Sequence, residues 1–433
     1  MTTTYADFIA TKKARIHADG RTIARTDVHP MLHPWQAELV QWAASIGRAA
    51  IWADTGLGKT MMQIEWARLV TGDGIALIVA PLAVCQQTVR EAARLGITAP
   101  YVRSGDGLDP GLYVTNYEMI QHFDPDLLTA VVLDEASILK QSDGKTRTML
   151  IDTFAAVPYR LACTATPAPN DPEELTNQAE FLGHMSRTHM LAAYFIHDDV
   201  GWRLKGHARA PMMTWMASWA VALRKPSDMG YTDDGYDLPG LEIISHLIHV
   251  PLEAEGQLFP TDLGGVGGRA AVRKETLQAR CEEAARIIAA EPDEPWLVWC
   301  GLNDEAQTIA RLTGSYNITG SMTPEEKAAG LLGFADGDHL RIVTKPGIAA
   351  MGLNWQHCAR MVFVGLSDSY EQYYQAIRRC YRYGQHRVVH AHVVLSELEG
   401  QIATNVARKE RDASHITAGL VEAMRRARKD STT

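Results

Sequence analysis

Residues 51–62, IWADTGLGKTMM, constrain the fold of this chain more than any other stretch. An apolar run ends in a glycine-rich turn that opens directly into a helix-forming segment. Such a turn aims backbone N–H groups at phosphate oxygens at the N-terminus of a helix. In that setting Thr55, Gly56 and Gly58 shape the loop, Lys59 reaches the terminal phosphates, and the Thr60 hydroxyl can ligate Mg²⁺. The full pattern has Gly at its first position, where this chain has Ala53; the strand before and the helix after still supply the context that the pattern requires. The chain therefore reads as a nucleotide binder with Mg²⁺ as its ion.

A nucleotide site hydrolyses its ligand when a second strand delivers carboxylates to the ion and to a water. AVVLDEAS, residues 130–137, fits that need: apolar strand residues end in Asp134, suited to the Mg²⁺ shell, and Glu135 follows, suited to polarise the attacking water. A DE pair alone is weak evidence, but about 75 residues after a phosphate loop it carries weight.

Further apolar runs at 75–80, 159–163, 296–300, 340–344, 360–365 and 389–395 predict buried strands of parallel sheets. They fall into two groups, one ending near residue 170 and the other starting near 275. With 433 residues at roughly 150 per domain, the simplest expectation is two tandem α/β domains. The expected boundaries are 1–170 for the first domain, 171–274 for a short helical connection and hinge, and 275–433 for the second domain with a terminal helix. MMTWMASWAVALRK (212–225) predicts the helical connection, with Trp215 and Trp219 packing in a core, and LGGVGGR (263–269) predicts the hinge.

Six scattered Cys show neither metal-type nor disulfide spacing and read as buried apolar residues in a reducing, cytoplasmic setting. His390 and His392 lie two apart in a strand-like run with no further ligand nearby, so zinc is discounted. No segment has the ~18 apolar residues needed to span a bilayer, and the N-terminal stretch has no apolar signal run. The formal charge of −9 argues against coating nucleic acid by bulk charge, so any nucleic-acid surface is local.

The order of further motifs resembles helicase superfamily 2, and within it the Snf2-type double-stranded DNA translocases in their compact bacterial or phage form. LHPWQAELVQW (32–42) resembles the segment ahead of the phosphate loop, with Gln36 at the position that recognises adenine. IVAPLAV (78–84) and VTNYEMI (114–120) resemble two DNA-backbone motifs, and CTATPAPNDPEEL (163–175) resembles the motif that couples the two activities. LRKPSD (223–228) and LPGLEI (238–243) resemble signatures that precede the second domain. QAIRRCYRYGQ (375–385), with Gln375, Arg379 and Arg382, resembles the arginine motif, and TKPGIAAMGLN (344–354), matching best at Gly352 and Asn354, resembles the motif linking nucleotide state to DNA. Two departures stand out: AAM replaces the usual double Gly, and Ser137 replaces the His that normally follows DEA.

The resemblance covers roughly residues 30–398. It implies two tandem RecA-like domains that bind ATP and Mg²⁺ and track along duplex DNA without base specificity, acting as a monomer. It further implies contacts to the DNA backbone through Thr115, Asn116, Thr166 and Asn354. Two Arg three apart would face one side of a helix and reach the γ-phosphate, where a permanent planar cation stabilises phosphoryl transfer. Residues 375–433 hold 11 Lys plus Arg against 6 Asp plus Glu, leaving −14 on the rest, so positive charge is concentrated near that end. The competing functions are strand separation on DNA or RNA, and ATP-gated recruitment of a nuclease or replication protein.

Overall fold

A computed structural model describes residues 20–140, 144–199, 201–249, 275–349, 354–367, 369–397 and 400–432. The chain divides into two units, one of residues 1–233 with 411–433 and one of residues 234–410.

In the first unit, α1 (Pro34–Ile46) starts with Pro34 in its first turn, and the His33 N–H donates to Gln36 Oε1 at 2.9 Å, which closes one arm of a capping box. Then come β1 (Arg48–Ala53), α2 (Lys59–Thr71), β2 (Ile75–Ala80), α3 (Leu82–Arg94), β3 (Gly111–Asn116), β4 (Leu128–Asp134), α4 (Lys145–Thr153) and β5 (Tyr159–Cys163). They are followed by α5 (Leu175–Leu182), α6 (Arg187–Tyr194), an antiparallel hairpin of β6 (Phe195–Asp198) and β7 (Gly201–Leu204), α7 (Arg209–Met216) and β8 (Ala220–Leu223). The main sheet runs β3-β2-β4-β5-β1-β8 and is parallel throughout. Near-continuous runs such as IALIVA and LTAVVLD follow from burial on both faces of such a sheet.

The second unit contains β9 (Leu241–Ile248), α8 (Leu277–Ala290), β10 (Trp296–Cys300), α9 (Asn303–Thr313), β11 (Tyr316–Asn317), α10 (Pro324–Ala335) and β12 (Arg341–Thr344). It continues with α11 (Pro346–Ala349), β13 (Arg360–Val364), α12 (Tyr370–Ile377) and β14 (Val389–Ser396). Its parallel sheet runs β11-β12-β10-β13-β14-β9. The last element is α13 (Gly400–Thr432), whose residues from 411 onward belong to the first unit. Ile416, Leu420 and Val421 on it are buried in the first unit's core.

Two α/β units with parallel sheets agree with the sequence-based expectation of two tandem α/β domains, but their boundaries do not. Residues 171–233 are part of the first unit, because β8 pairs with β1 in the register Ala50↔Ala220 to Ala53↔Leu223. β9 belongs to the second sheet, beside β14. The expected helix over 212–225 stops at Met216, and the chain then forms β8. Trp215 and Trp219 do pack in the core, edge to face at 5.4 Å. The glycine cluster 263–269 lies outside the described residues. All six Cys are free and buried.

One buried ion pair organises the second unit. Arg280 on α8 donates from Nη1 to Glu305 Oε1 on α9 at 2.9 Å and to the Val364 carbonyl at 3.0 Å, with both side chains fully buried. Glu305 Oε2 accepts the Gly301 and Leu302 N–H groups, each at 2.9 Å, and thereby fixes the turn after β10. Removing one partner strands the other charge without water. Glu305→Leu is expected to cost about 3–5 kcal/mol in denaturant unfolding, and the double change Arg280→Met/Glu305→Leu considerably less.

Candidate nucleotide site and arginine turn

The phosphate loop leaves the carboxyl end of β1 and enters α2. Gly56 and Gly58 have φ of 85° and 72°, values that glycine adopts without a steric penalty. A Cβ on Gly58 would also meet Gln36 Nε2 at 2.4 Å. Gln36 is buried, and its Nε2 donates to the Leu57 carbonyl at 3.0 Å, so this α1 residue is held against the loop. The Thr55 N–H donates to Asp54 Oδ1 at 2.6 Å, and Lys59 Nζ donates to the Ala53 and Asp54 carbonyls at 2.8 and 3.3 Å. Lys59 and Thr60 both belong to the first turn of α2.

β5 lies between β1 and β4 in the sheet, so the chemistry-bearing ends of three parallel strands face the same edge. Asp134 closes β4 and is buried; burial raises its pKa, while the Gln63 amide and the Lys59 ammonium oppose that rise. Gln63 Nε2 donates to Asp134 Oδ1 at 2.7 Å, and the Tyr117 hydroxyl donates to the Asp134 carbonyl at 2.5 Å. Gln63 lies one turn beyond Lys59 and Thr60 on α2, and its Oε1 is buried without a partner. Sequence reasoning missed Gln63, although its i+4 spacing from Lys59 was visible.

Glu135 has a φ of 53°, the one positive value on a non-glycine residue among the described residues. A strained backbone of this kind persists where the surroundings over-determine it, which is common at reactive sites. The Thr164 hydroxyl, at the end of β5, donates to Glu135 Oε2 at 3.4 Å, and the Thr166 N–H donates to Thr164 Oγ1 at 3.1 Å. The coupling motif thus touches the carboxylate directly. Ser137 is buried and its hydroxyl donates to the Glu135 carbonyl at 3.4 Å, so Ser at this position supports the turn from inside.

These residues fit ATP and Mg²⁺. The backbone N–H groups of the turn that Gly56 and Gly58 shape, the Lys59 cation, the Thr60 hydroxyl and the Asp134 carboxylate are the groups that phosphate and a hard ion require.

In the second unit, α12 ends at Ile377, so Arg379 and Arg382 stand in the turns beyond it. The expected common helix face for the pair is corrected accordingly: the Trp355 N–H captures the Arg379 carbonyl at 2.9 Å, a tertiary bond that i, i+3 spacing cannot reveal. Arg379 is buried, and its Nε donates to the Gln375 carbonyl at 3.2 Å. Arg382 donates from Nη1 to Asn354 Oδ1, joining the two family-like motifs of this unit. Burial, together with neighbouring Arg378, lowers the Arg382 pKa to about 10, which leaves it charged at neutral pH. Gln385 fixes the turn from below, donating to the Cys358 and Cys380 carbonyls at 3.0 and 3.4 Å and accepting the His386 and Arg387 N–H groups at 3.0 Å each.

The expected DNA contacts need correction. The Thr115 side chain is fully buried and its hydroxyl donates to the Val102 carbonyl at 2.8 Å. Asn116 is buried between Tyr101, whose hydroxyl donates to Asn116 Oδ1 at 2.6 Å, and Glu118. Both residues are in β3, where tertiary pairing consumes their polar groups. Thr166 is buried with its hydroxyl unpartnered, Asn354 is exposed, and Gly352 lies outside the described residues.

His390 and His392 share a face of β14, as their spacing predicts. His392 Nδ1 and His246 Nε2 lie 2.9 Å apart, and no metal-type cluster occurs among the described residues.

Residues 279–384, from α8 to the arginine turn, match the helicase conserved C-terminal domain family. The helicase resemblance read from the motifs agrees with that match over residues 279–384. The Sulfolobus solfataricus SWI2/SNF2 ATPase core, solved with dsDNA, is similar at a TM-score of 0.45 and 17% identity, covering 93% of this chain and 96% of that one. The comparison with curated proteins found no match. No helix among the described residues of the helicase-like chain is long and apolar enough to cross a membrane.

Proposed function

We propose that the chain is a Snf2-type, DNA-stimulated ATPase that moves on duplex DNA. The observation that carries the hydrolytic part is the convergence of the phosphate loop, Asp134, strained Glu135 and Thr164 at one edge of the first sheet. Lys59 and the loop N–H groups bind the β- and γ-phosphates, and Gln36 borders the adenine side. Thr60 and Asp134 would hold Mg²⁺, which when bound neutralises charge on the phosphate oxygens. Glu135 orients and deprotonates the water that attacks the γ-phosphate. Thr164 reports the state of Glu135 to the coupling segment 163–175. Arg379 and Arg382 supply positive charge to the phosphoryl-transfer transition state.

The DNA part of the reading rests on motif order and on the helicase domain. Phosphate contacts then come from backbone N–H groups and helix ends, such as the start of α3 after β2, together with Asn354. Contacts of this kind give salt-sensitive binding without base readout. ATPase assays with duplex DNA, single-stranded DNA and RNA test the reading, combined with displacement of a triplex strand and with unwinding of a forked duplex. Duplex-stimulated hydrolysis with triplex displacement and no unwinding is the expected result. Fork unwinding would assign a strand-separating helicase, and hydrolysis with neither activity would assign an ATP-gated recruitment module.

A further inference from the structure

The strained backbone at Glu135, with its φ of 53°, needs something to hold it. An L-residue enters that region at a steric cost. The cheapest escape is a flip of the peptide plane before Glu135, which changes ψ of Asp134 and φ of Glu135 together and disturbs little else. Because a peptide is rigid and planar, whatever grips its oxygen also sets the rotation about the N–Cα bond that follows.

Two peptide planes meet at Glu135, and both are gripped. The plane after it is held from within the turn: the Glu135 carbonyl accepts the Ile138 N–H at 3.1 Å and the Ser137 hydroxyl at 3.4 Å. The plane before it is held from another part of the chain. The last β2–β4 pair is Val79 with Leu133, so Asp134 lies beyond that ladder, and the Tyr117 hydroxyl donates to its carbonyl at 2.5 Å.

Tyr117 opens the 3-10 turn Tyr117–His122 immediately after β3. β2 stands between β3 and β4, so the bond joins two strands that are not neighbours in the sheet. The Tyr117 ring is buried in the same core as Leu133 and Ala136, the residues that flank the acidic pair. Packing therefore sets the ring, and the ring sets the hydroxyl. Just ahead of it, Asn116 is tied by the Tyr101 hydroxyl and to the Glu118 carboxylate, which steadies the turn that Tyr117 opens.

We propose that Tyr117 is a positioning residue for hydrolysis: by gripping the Asp134 carbonyl it keeps the Asp134–Glu135 peptide from flipping and holds the Glu135 carboxylate toward the attacking water. This role rests on Glu135 acting as the base, and it does not require Tyr117 to touch nucleotide, ion or water. Phenylalanine would fill the same apolar space, but it would leave a buried carbonyl without its donor and the strained turn without its anchor from β3. A loosened turn misplaces the carboxylate, and a displacement on the order of 1 Å costs up to ~100-fold in rate.

The test is a double-mutant cycle on Tyr117→Phe and Glu135→Gln in the full chain, with single-turnover ATP hydrolysis in the presence of duplex DNA and ATP affinity both measured. Tyr117→Phe is expected to lower turnover about 10- to 100-fold while ATP affinity stays within about twofold of wild type. In the Glu135→Gln background no carboxylate is left to position, so the same change is expected to have almost no further effect on turnover. Wild-type turnover in Tyr117→Phe overturns the proposal. So does a loss of ATP affinity in step with turnover, or a full repeat of the Tyr117→Phe loss in the Glu135→Gln background, since either marks a purely structural residue. Failure of the underlying reading looks different: if the wild-type chain does not hydrolyse ATP, or Glu135→Gln alone hydrolyses it at the wild-type rate, Glu135 is not the base and the role of Tyr117 falls with it.

Discussion

Glu135→Gln is expected to retain ATP and to lose turnover by about 10²–10⁴. The substitution keeps the shape of the side chain and its capacity to accept the Thr164 hydroxyl, but it cannot take a proton from water. In the proposed site nucleotide affinity rests on the loop, Lys59 and Gln36, which the substitution leaves in place. Equilibrium binding of a fluorescent ATP analogue, measured beside single-turnover hydrolysis, separates the two effects. Hydrolysis at the wild-type rate would move the role of base to another group. A loss of binding as large as the loss of turnover would show that Glu135 positions the loop.

Arg379→Ala and Arg382→Ala are each expected to lower turnover by a factor of order 10³ while nucleotide affinity holds. Structural roles complicate the interpretation, since Arg379 is buried against the Gln375 carbonyl and Arg382 holds Asn354. The Lys variants resolve it. Lysine keeps the charge but not the planar fork, so a purely structural or point-charge role would leave turnover near wild type, whereas transition-state stabilisation by a guanidinium would not. Thermal unfolding of all four variants beside DNA-stimulated hydrolysis makes the comparison, and an Ala variant with normal kcat would remove that arginine from the chemistry.

Much of the architecture is legible in the sequence because buried parallel strands are locally apolar: IALIVA and YRLAC become strands at the residues expected. Edge strands carry less of that signal. β8 has four residues after a methionine-rich helix, and β9 mixes exposed Ile243 and Leu247 with His and Glu, so neither stands out. Their membership is decided by pairing with β1 and β14, about 170 and 150 residues away in the chain. The candidate site shows the same division. Lys59, Asp134 and Glu135 announce themselves through spacing within one turn or one strand end. The burial of Thr115 and Asn116, the Gln63 bond to Asp134 and the unwinding of the chain after Ile377 are tertiary facts that no local period encodes.

The return of α13 to the first unit bears on how the protein is made. Ile416, Leu420 and Val421 fill the same core as Trp215 and Trp219, so that core is incomplete while the ribosome is still translating the second unit. The second unit, continuous in sequence from 234 to 410, can close first although it is synthesised later. Nascent chains therefore leave that apolar core unfinished until residues 416–421 have been made.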